Sequence, residues 1–174
     1  MIVSKADTEN ILAWCLSKAN RDKYMLEKPY HNGGDPAGLL HLEKGHDTFP
    51  VGDLLYLSDI FLQHYGLPED TQIDYFLGFL ASYSEEGHEV HKHRDPNLGD
   101  TVHTRVNVLI SKPERGGNPV INGKEIVVQE NETWICVAGE HWHSTTKVEG
   151  SKPRIILSLG YHIPREILTM KGWI

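Results

Sequence analysis

Cysteine is scarce: the 174 residues hold two, Cys15 and Cys136. That is too few for a disulfide framework, and a reducing, cytoplasmic setting is the expectation. No run of Lys or Arg occurs and the formal net charge is −7. This argues against a nucleic-acid surface, whose affinity rests on neutralising phosphates. No apolar stretch approaches membrane-spanning length, and the opening MIVSKADTEN turns polar too early for a signal peptide. No membrane partner is therefore expected. Internal repeats and low-complexity tracts are also missing.

What is present reads as an ordinary globular composition, 39% apolar and 24% charged, on a chain long enough to bury a core. Asp7 or Thr8 is placed to cap a helix carrying Ile11, Leu12, Cys15 and Leu16. The turn formers HNGGDPAG follow at 31–38. A second helix is predicted from about Asp53 to Tyr65, with Asp53 as N-cap and Gly66 as its stop.

Beyond Pro68 the texture changes. QIDYFLGFLASYS (72–84) is apolar on both parities, as a strand buried on both faces would be. TVHTRVNVLIS (101–111) alternates, with Val102, Val106, Val108 and Ile110 on one face and His103, Arg105 and Asn107 on the other. Asn122-Gly123 signals a hairpin, and EIVVQ, TWICVAG and RIILSLGYH are further strand candidates. The expectation is a single domain over 1–174. Residues 1–70 form a mostly helical support and 71–174 a β core, sandwich or barrel.

The stretch HEVHKHRDP (88–96) carries the chemistry. In an extended strand His91, His93 and Asp95 share one face, and His88 points to the other as a surface residue. Two imidazoles and a carboxylate converging there make a metal site, unless the face simply meets water. A second histidine cluster, His141 and His143, lies in GEHWHSTTKVEGSKPRIILS, and Arg154 opens the last apolar strand. Two His and one carboxylate take one triangular face of an octahedral Fe(II) and leave positions for a chelating cosubstrate and O2. The planar fork of an Arg grips the far end of a dicarboxylate. His-x-Asp, a distant His and a following Arg are, in that order, the parts of a non-haem iron oxygenase site. His91 and His141 are the rival ligands. His91-x-His93 also occurs in cupins, but those need a Glu four or five positions on, where Asn97 and Leu98 stand.

On these residues the chain from about Tyr75 to Pro164 resembles the Fe(II)- and 2-oxoglutarate-dependent dioxygenase superfamily. Tyr83, Gly87, His93 and Asp95 resemble the opening motif of its prolyl-hydroxylase-like members, and His143, Val148, Gly150 and Arg154 the closing one. Arg105-x-Asn107 and Tyr161-His162-Ile163-Pro164 are similar to segments of aspartyl/asparaginyl β-hydroxylases, which carry histidine where Asn107 stands. The resemblance implies a mainly β fold, a double-stranded β-helix (a jelly-roll, cupin-like barrel) buttressed by N-terminal helices. It implies Fe(II) on His93, Asp95 and His143. It places 2-oxoglutarate on Arg154, with Arg105, Asn107, Ser158 and Tyr83 assisting; Tyr75 is a further candidate. The implied reaction consumes O2 and 2-oxoglutarate, releases succinate and CO2, and hydroxylates an unactivated C–H of a peptidyl residue, free amino acid or small metabolite. Trp134 is expected in the core and Trp142 at the pocket rim. Two rivals stand: a cupin-like metal enzyme that uses no 2-oxoglutarate, and a non-catalytic β-barrel binding module with incidental histidines.

Overall fold

The computed structural model describes residues 1–24, 38–41, 48–74 and 78–174. Tyr75 and most of the turn-rich stretch at 31–38 lie outside them. In chain order, a 3-10 turn (Lys5–Asp7) precedes α1 (Glu9–Leu16), α2 (Lys18–Tyr24), β1 (Gly38–His41), α3 (Val51–Tyr65), β2 (Gln72–Ile73) and β3 (Phe79–Ser84). Then come β4 (Thr101–Ser111), β5 (Arg115–Gly116), β6 (Pro119–Ile121), β7 (Lys124–Glu125) and β8 (Thr133–Cys136). The chain closes with β9 (His143–Thr145), β10 (Val148–Glu149), β11 (Arg154–Pro164) and α4 (Arg165–Met170).

The strands make a double-stranded β-helix. One wall is an antiparallel sheet in the order β1-β3-β11-β4-β8, with β2 added to β11. The other comprises the two-stranded β10-β5 and the three-stranded β7-β6-β9. Alternation along β4 and β11 divides their side chains between two buried faces. Val102, Val106, Val108 and Ile110 join Ile155, Leu157, Leu159, Tyr161 and Ile163 in one apolar cluster with Ile11, Trp14, Leu54, Leu57 and Phe61 of α1 and α3. A buried hydrogen bond, Ser58 Oγ to Tyr161 Oη at 2.8 Å, ties α3 to the sheet. The opposite face points into the barrel. There the register sets Ser158 beside Asn107, Gly160 beside Arg105 and His162 beside His103.

Several boundaries moved from expectation. α3 begins two residues before Asp53, with Pro50 at its N-cap, and Asp53 instead accepts a hydrogen bond from Asn10 Nδ2 at 2.8 Å. Gly66 does end it, in the left-handed conformation at φ 59° that glycine adopts without a Cβ penalty. The expected strand over 72–84 contains two described strands, β2 and β3, with Asp74 directly after β2 and its N–H donating to Gly160 O at 2.8 Å. Of EIVVQ only Glu125 belongs to a strand, whereas the Asn122-Gly123 turn joins β6 to β7 as expected. No helix among the described residues is long and apolar enough to cross a membrane.

Candidate metal centre

His93 does not lie in a regular strand, so its neighbourhood is set by long-range backbone pairing. Residues 87–93 run antiparallel to 143–148: Gly87 N–H donates to Val148 O, Val148 N–H to His88 O, and Thr145 N–H to Val90 O. His93 and His143 then exchange both backbone hydrogen bonds at 2.9 Å each. The two imidazoles are therefore direct cross-strand neighbours, with ring centroids 4.2 Å apart. Asp95 N–H bonds to Ala138 O at 2.9 Å, which holds residue 95 against the turn between β8 and β9 that leads to His143.

Side-chain contacts then aim the donors. His93 Nδ1 lies 2.7 Å from His91 O and His143 Nδ1 3.0 Å from His141 O. A carbonyl can only accept, so each Nδ1 carries a proton, and in the neutral ring Nε2 is then the lone-pair nitrogen. Such a second contact fixes tautomer and orientation in metal-ligating histidines. His93 Nε2 is 3.6 Å from Asp95 Oδ1. One donor atom from each of His93, Asp95 and His143 lies within 4.8 Å of the other two. The rivals His91 and His141 supply carbonyls, not ring nitrogens, to this group.

The far oxygen of Asp95 is engaged elsewhere. Arg105 Nε donates to Oδ2 at 3.0 Å, and His103 Nε2 lies 3.1 Å from the same atom. Burial pushes this carboxyl up. The hydrogen bond from His103 and the charges of Arg105 and His103 outweigh it, holding Asp95 well below the usual carboxylate range. His143 is pushed down to about 4 by burial and by His93 beside it. At neutral pH His143 is thus a neutral imidazole beside an ionised Asp95, the forms in which these groups bind a metal ion. The Cys136 thiol, whose residue pairs with Arg105, is pushed up to about 12 by burial and is no thiolate ligand.

Of the residues expected around a cosubstrate, Arg105, Asn107, Ser158 and Arg154 all lie on the barrel-facing side of β4 and β11. Arg105 and Asn107 do not face water: they are buried, and Arg105 Nη1 donates to Ser158 Oγ at 3.1 Å. Arg154 is 2% exposed; its Nε donates to Gly117 O at 2.6 Å. Among the described residues no carboxylate pairs with it, and burial alone lowers it to about 10. A buried guanidinium without an acid beside it is a costly arrangement that a carboxylate ligand would relieve.

Tyr83 is the correction. β3 pairs with β11 so that Tyr83 lies opposite Ile155, on the helix-facing side, and Arg21 of α2 sits 4.2 Å above its ring. It belongs to the apolar cluster, not to the barrel interior. Trp142 is exposed, and Trp134 is half-buried rather than core. What the sequence reading missed is His103, on the same face as Arg105, and its buried neighbours Asp74 and His162. Strand parity flags His103; nothing local flags Asp74.

No family model and no curated protein matches this chain. Solved structures do share its fold. AviO1 from Streptomyces viridochromogenes aligns over 92% of this chain and 83% of its own at 16% identity, with a TM-score of 0.61. The viral collagen prolyl hydroxylase of Paramecium Bursaria Chlorella virus-1, in complex with 2OG, covers 94% and 92% at 14% identity and a TM-score of 0.58. A Pseudomonas putida prolyl-4-hydroxylase covers 94% and 89% at 16% identity, also with a TM-score of 0.58. At these identities the likeness is one of fold.

Proposed function

We propose that the chain is an Fe(II)- and 2-oxoglutarate-dependent oxygenase that hydroxylates an unactivated C–H bond of an amino-acid residue or small molecule. The observation that carries this reading is a pairing. One ring nitrogen from each of two imidazoles and one carboxylate oxygen lie within 4.8 Å of one another at a partly exposed position, and a buried Arg that pairs with no carboxylate among the described residues lies on the same barrel wall.

The donor set fits the metal. His93 Nε2, His143 Nε2 and Asp95 Oδ1 would hold Fe(II) on one face, leaving the opposite face for cosubstrate and O2. Bound Fe(II) with 2-oxoglutarate supplies the oxidising chemistry, releasing succinate and CO2. This chain's residues do the rest. Arg105 keeps Asp95 ionised and turned, and Ser158 keeps Arg105 in place. Arg154 binds the far carboxylate of 2-oxoglutarate in a site dry enough for the charge pair to count. Asn107, buried opposite Ser158, lines the same wall and assists. That two proteins of this fold are prolyl hydroxylases, one crystallised with 2OG, supports the choice of cosubstrate and includes peptidyl proline among the substrates to test.

The test is succinate formation from 2-oxoglutarate by the purified chain with Fe(II) and O2, without and with candidate peptides. Wild type is expected to turn over 2-oxoglutarate slowly alone and faster with its substrate. Metal-dependent O2 uptake that ignores 2-oxoglutarate would indicate a cupin-like enzyme instead.

A further inference from the structure

Beneath the metal group lies a second set of the same residue types. Asp74, His103 and His162 are all buried, and one donor atom from each lies within 4.8 Å of the others. His103 Nδ1 contacts Asp74 Oδ2, and its Nε2 faces Asp95 Oδ2 at 3.1 Å. His162, the cross-strand partner of His103, has Nε2 3.8 Å from the other Asp74 oxygen. The backbone makes room for this: a Cβ at Gly160 would lie 3.1 Å from His103 Cε1, 3.2 Å from Asp74 Cβ and 2.8 Å from Gly78 O. Arg105, Asp95 and His162 are the charged or titratable groups that these contacts bring to His103 and Asp74.

Resting on the reading above, we infer that Asp74 and His103 are positioning residues that make Asp95 a one-oxygen ligand. A carboxylate near a cation has two oxygens to offer, and binding with both would consume one of the positions that cosubstrate and O2 need. Oδ2 is withheld because Arg105 Nε donates to it and the His103 ring stands against it, with Nε2 at 3.1 Å. Asp74 Oδ2 against Nδ1 and Asp95 Oδ2 facing Nε2 hold the His103 ring between them, so Asp74 sets where His103 meets Asp95. The string Asp74–His103–Asp95 is thus an outer support of the kind that orients metal ligands.

The experiment uses the full-length, metal-free chain titrated with Co(II), followed by calorimetry and by the visible Co(II) spectrum. His103→Phe keeps a ring and loses both nitrogens. It is expected to weaken Co(II) binding about 10–100-fold and to alter the spectrum as the freed oxygen joins the ion. His103→Gln, whose amide nitrogen replaces Nε2, restores both towards wild type, which a merely space-filling role would not do. Should the Phe variant fail to fold, Asp74→Asn carries the test: isosteric, it weakens binding in the same direction by a smaller factor. Wild-type affinity and spectrum in both His103→Phe and Asp74→Asn would overturn the inference. So would two equivalents of Co(II) per chain with the second lost in His162→Phe, since the buried trio would then be a metal site itself. A wild type that binds no Co(II) removes the metal-centre reading; tight binding indifferent to His103 removes this inference alone.

Discussion

The barrel holds two clusters with the same inventory, two imidazoles and a carboxylate, and they differ in everything else. His93, Asp95 and His143 sit on a loop and a three-residue strand, and the His93 side chain is 42% exposed. Asp74, His103 and His162 sit on or beside the long central strands and are almost wholly inaccessible. In the first cluster each Nδ1 is tied to the carbonyl two residues back, and one ring nitrogen of each His lies within 4.8 Å of the other and of Asp95. In the second, carboxylates face both nitrogens of His103. On the function proposed above, the partner of the second ring nitrogen and a path for the ion separate the two clusters' roles.

The largest expected effect comes from removing a ligand of the first cluster. His93→Ala or Asp95→Ala should cut 2-oxoglutarate turnover by more than about 100-fold, beyond the range typical of outer-shell partners. Succinate production undiminished in either variant would refute the ligand assignment and erase the contrast between clusters.

Next comes Arg154, which neither cluster contains. Arg154→Ala should raise the KM for 2-oxoglutarate on the order of 10–100-fold, the loss of a charge-assisted hydrogen-bonded pair, with metal affinity unchanged. If that KM stays put while metal affinity collapses, the cosubstrate role is wrong.

The smallest effect is on pH dependence. His143 is lowered from 6.5 to about 4 in the folded chain, so unfolding takes up a proton between these values. Stability from this group is present above pH 6.5 and lost as pH falls towards 4. Asp95 adds to the loss further down, since its folded pKa also lies below the unfolded one and its contribution fades below about pH 4. His143→Gln should flatten the metal-free stability profile between pH 6.5 and 4 by at most about 3 kcal/mol, as read by urea unfolding. An unchanged slope would mean that another histidine carries it.

The regular half of this molecule was legible and the irregular half was not. β4 and β11 announce themselves because strict alternation repeats over eleven residues, each side packing a distinct partner. The parity that sends Val106 to the helices sends Arg105 inward, and the sequence could not say whether that side met water. Side-chain alternation in an extended strand puts His91, His93 and Asp95 on one face, but residues 88–96 form a loop registered by 143–148, and that pairing leaves no local pattern. Asp74 hid inside an apolar run that looked continuous, since nothing in QIDYFLG marks the place where β2 ends. Tyr83 was assigned by motif likeness, and its face is set by β3 pairing with β11. The shared fold with prolyl hydroxylases of about 15% identity fits this: long-strand parity survives sequence change better than loops do.

A crystal structure of the chain with Mn(II) and 2-oxoglutarate tests the account most directly. It should show a single ion bound by His93 Nε2, His143 Nε2 and one oxygen of Asp95, with the far carboxylate of 2-oxoglutarate on Arg154. An ion lodged among Asp74, His103 and His162, or a cosubstrate that never meets Arg154, would contradict it.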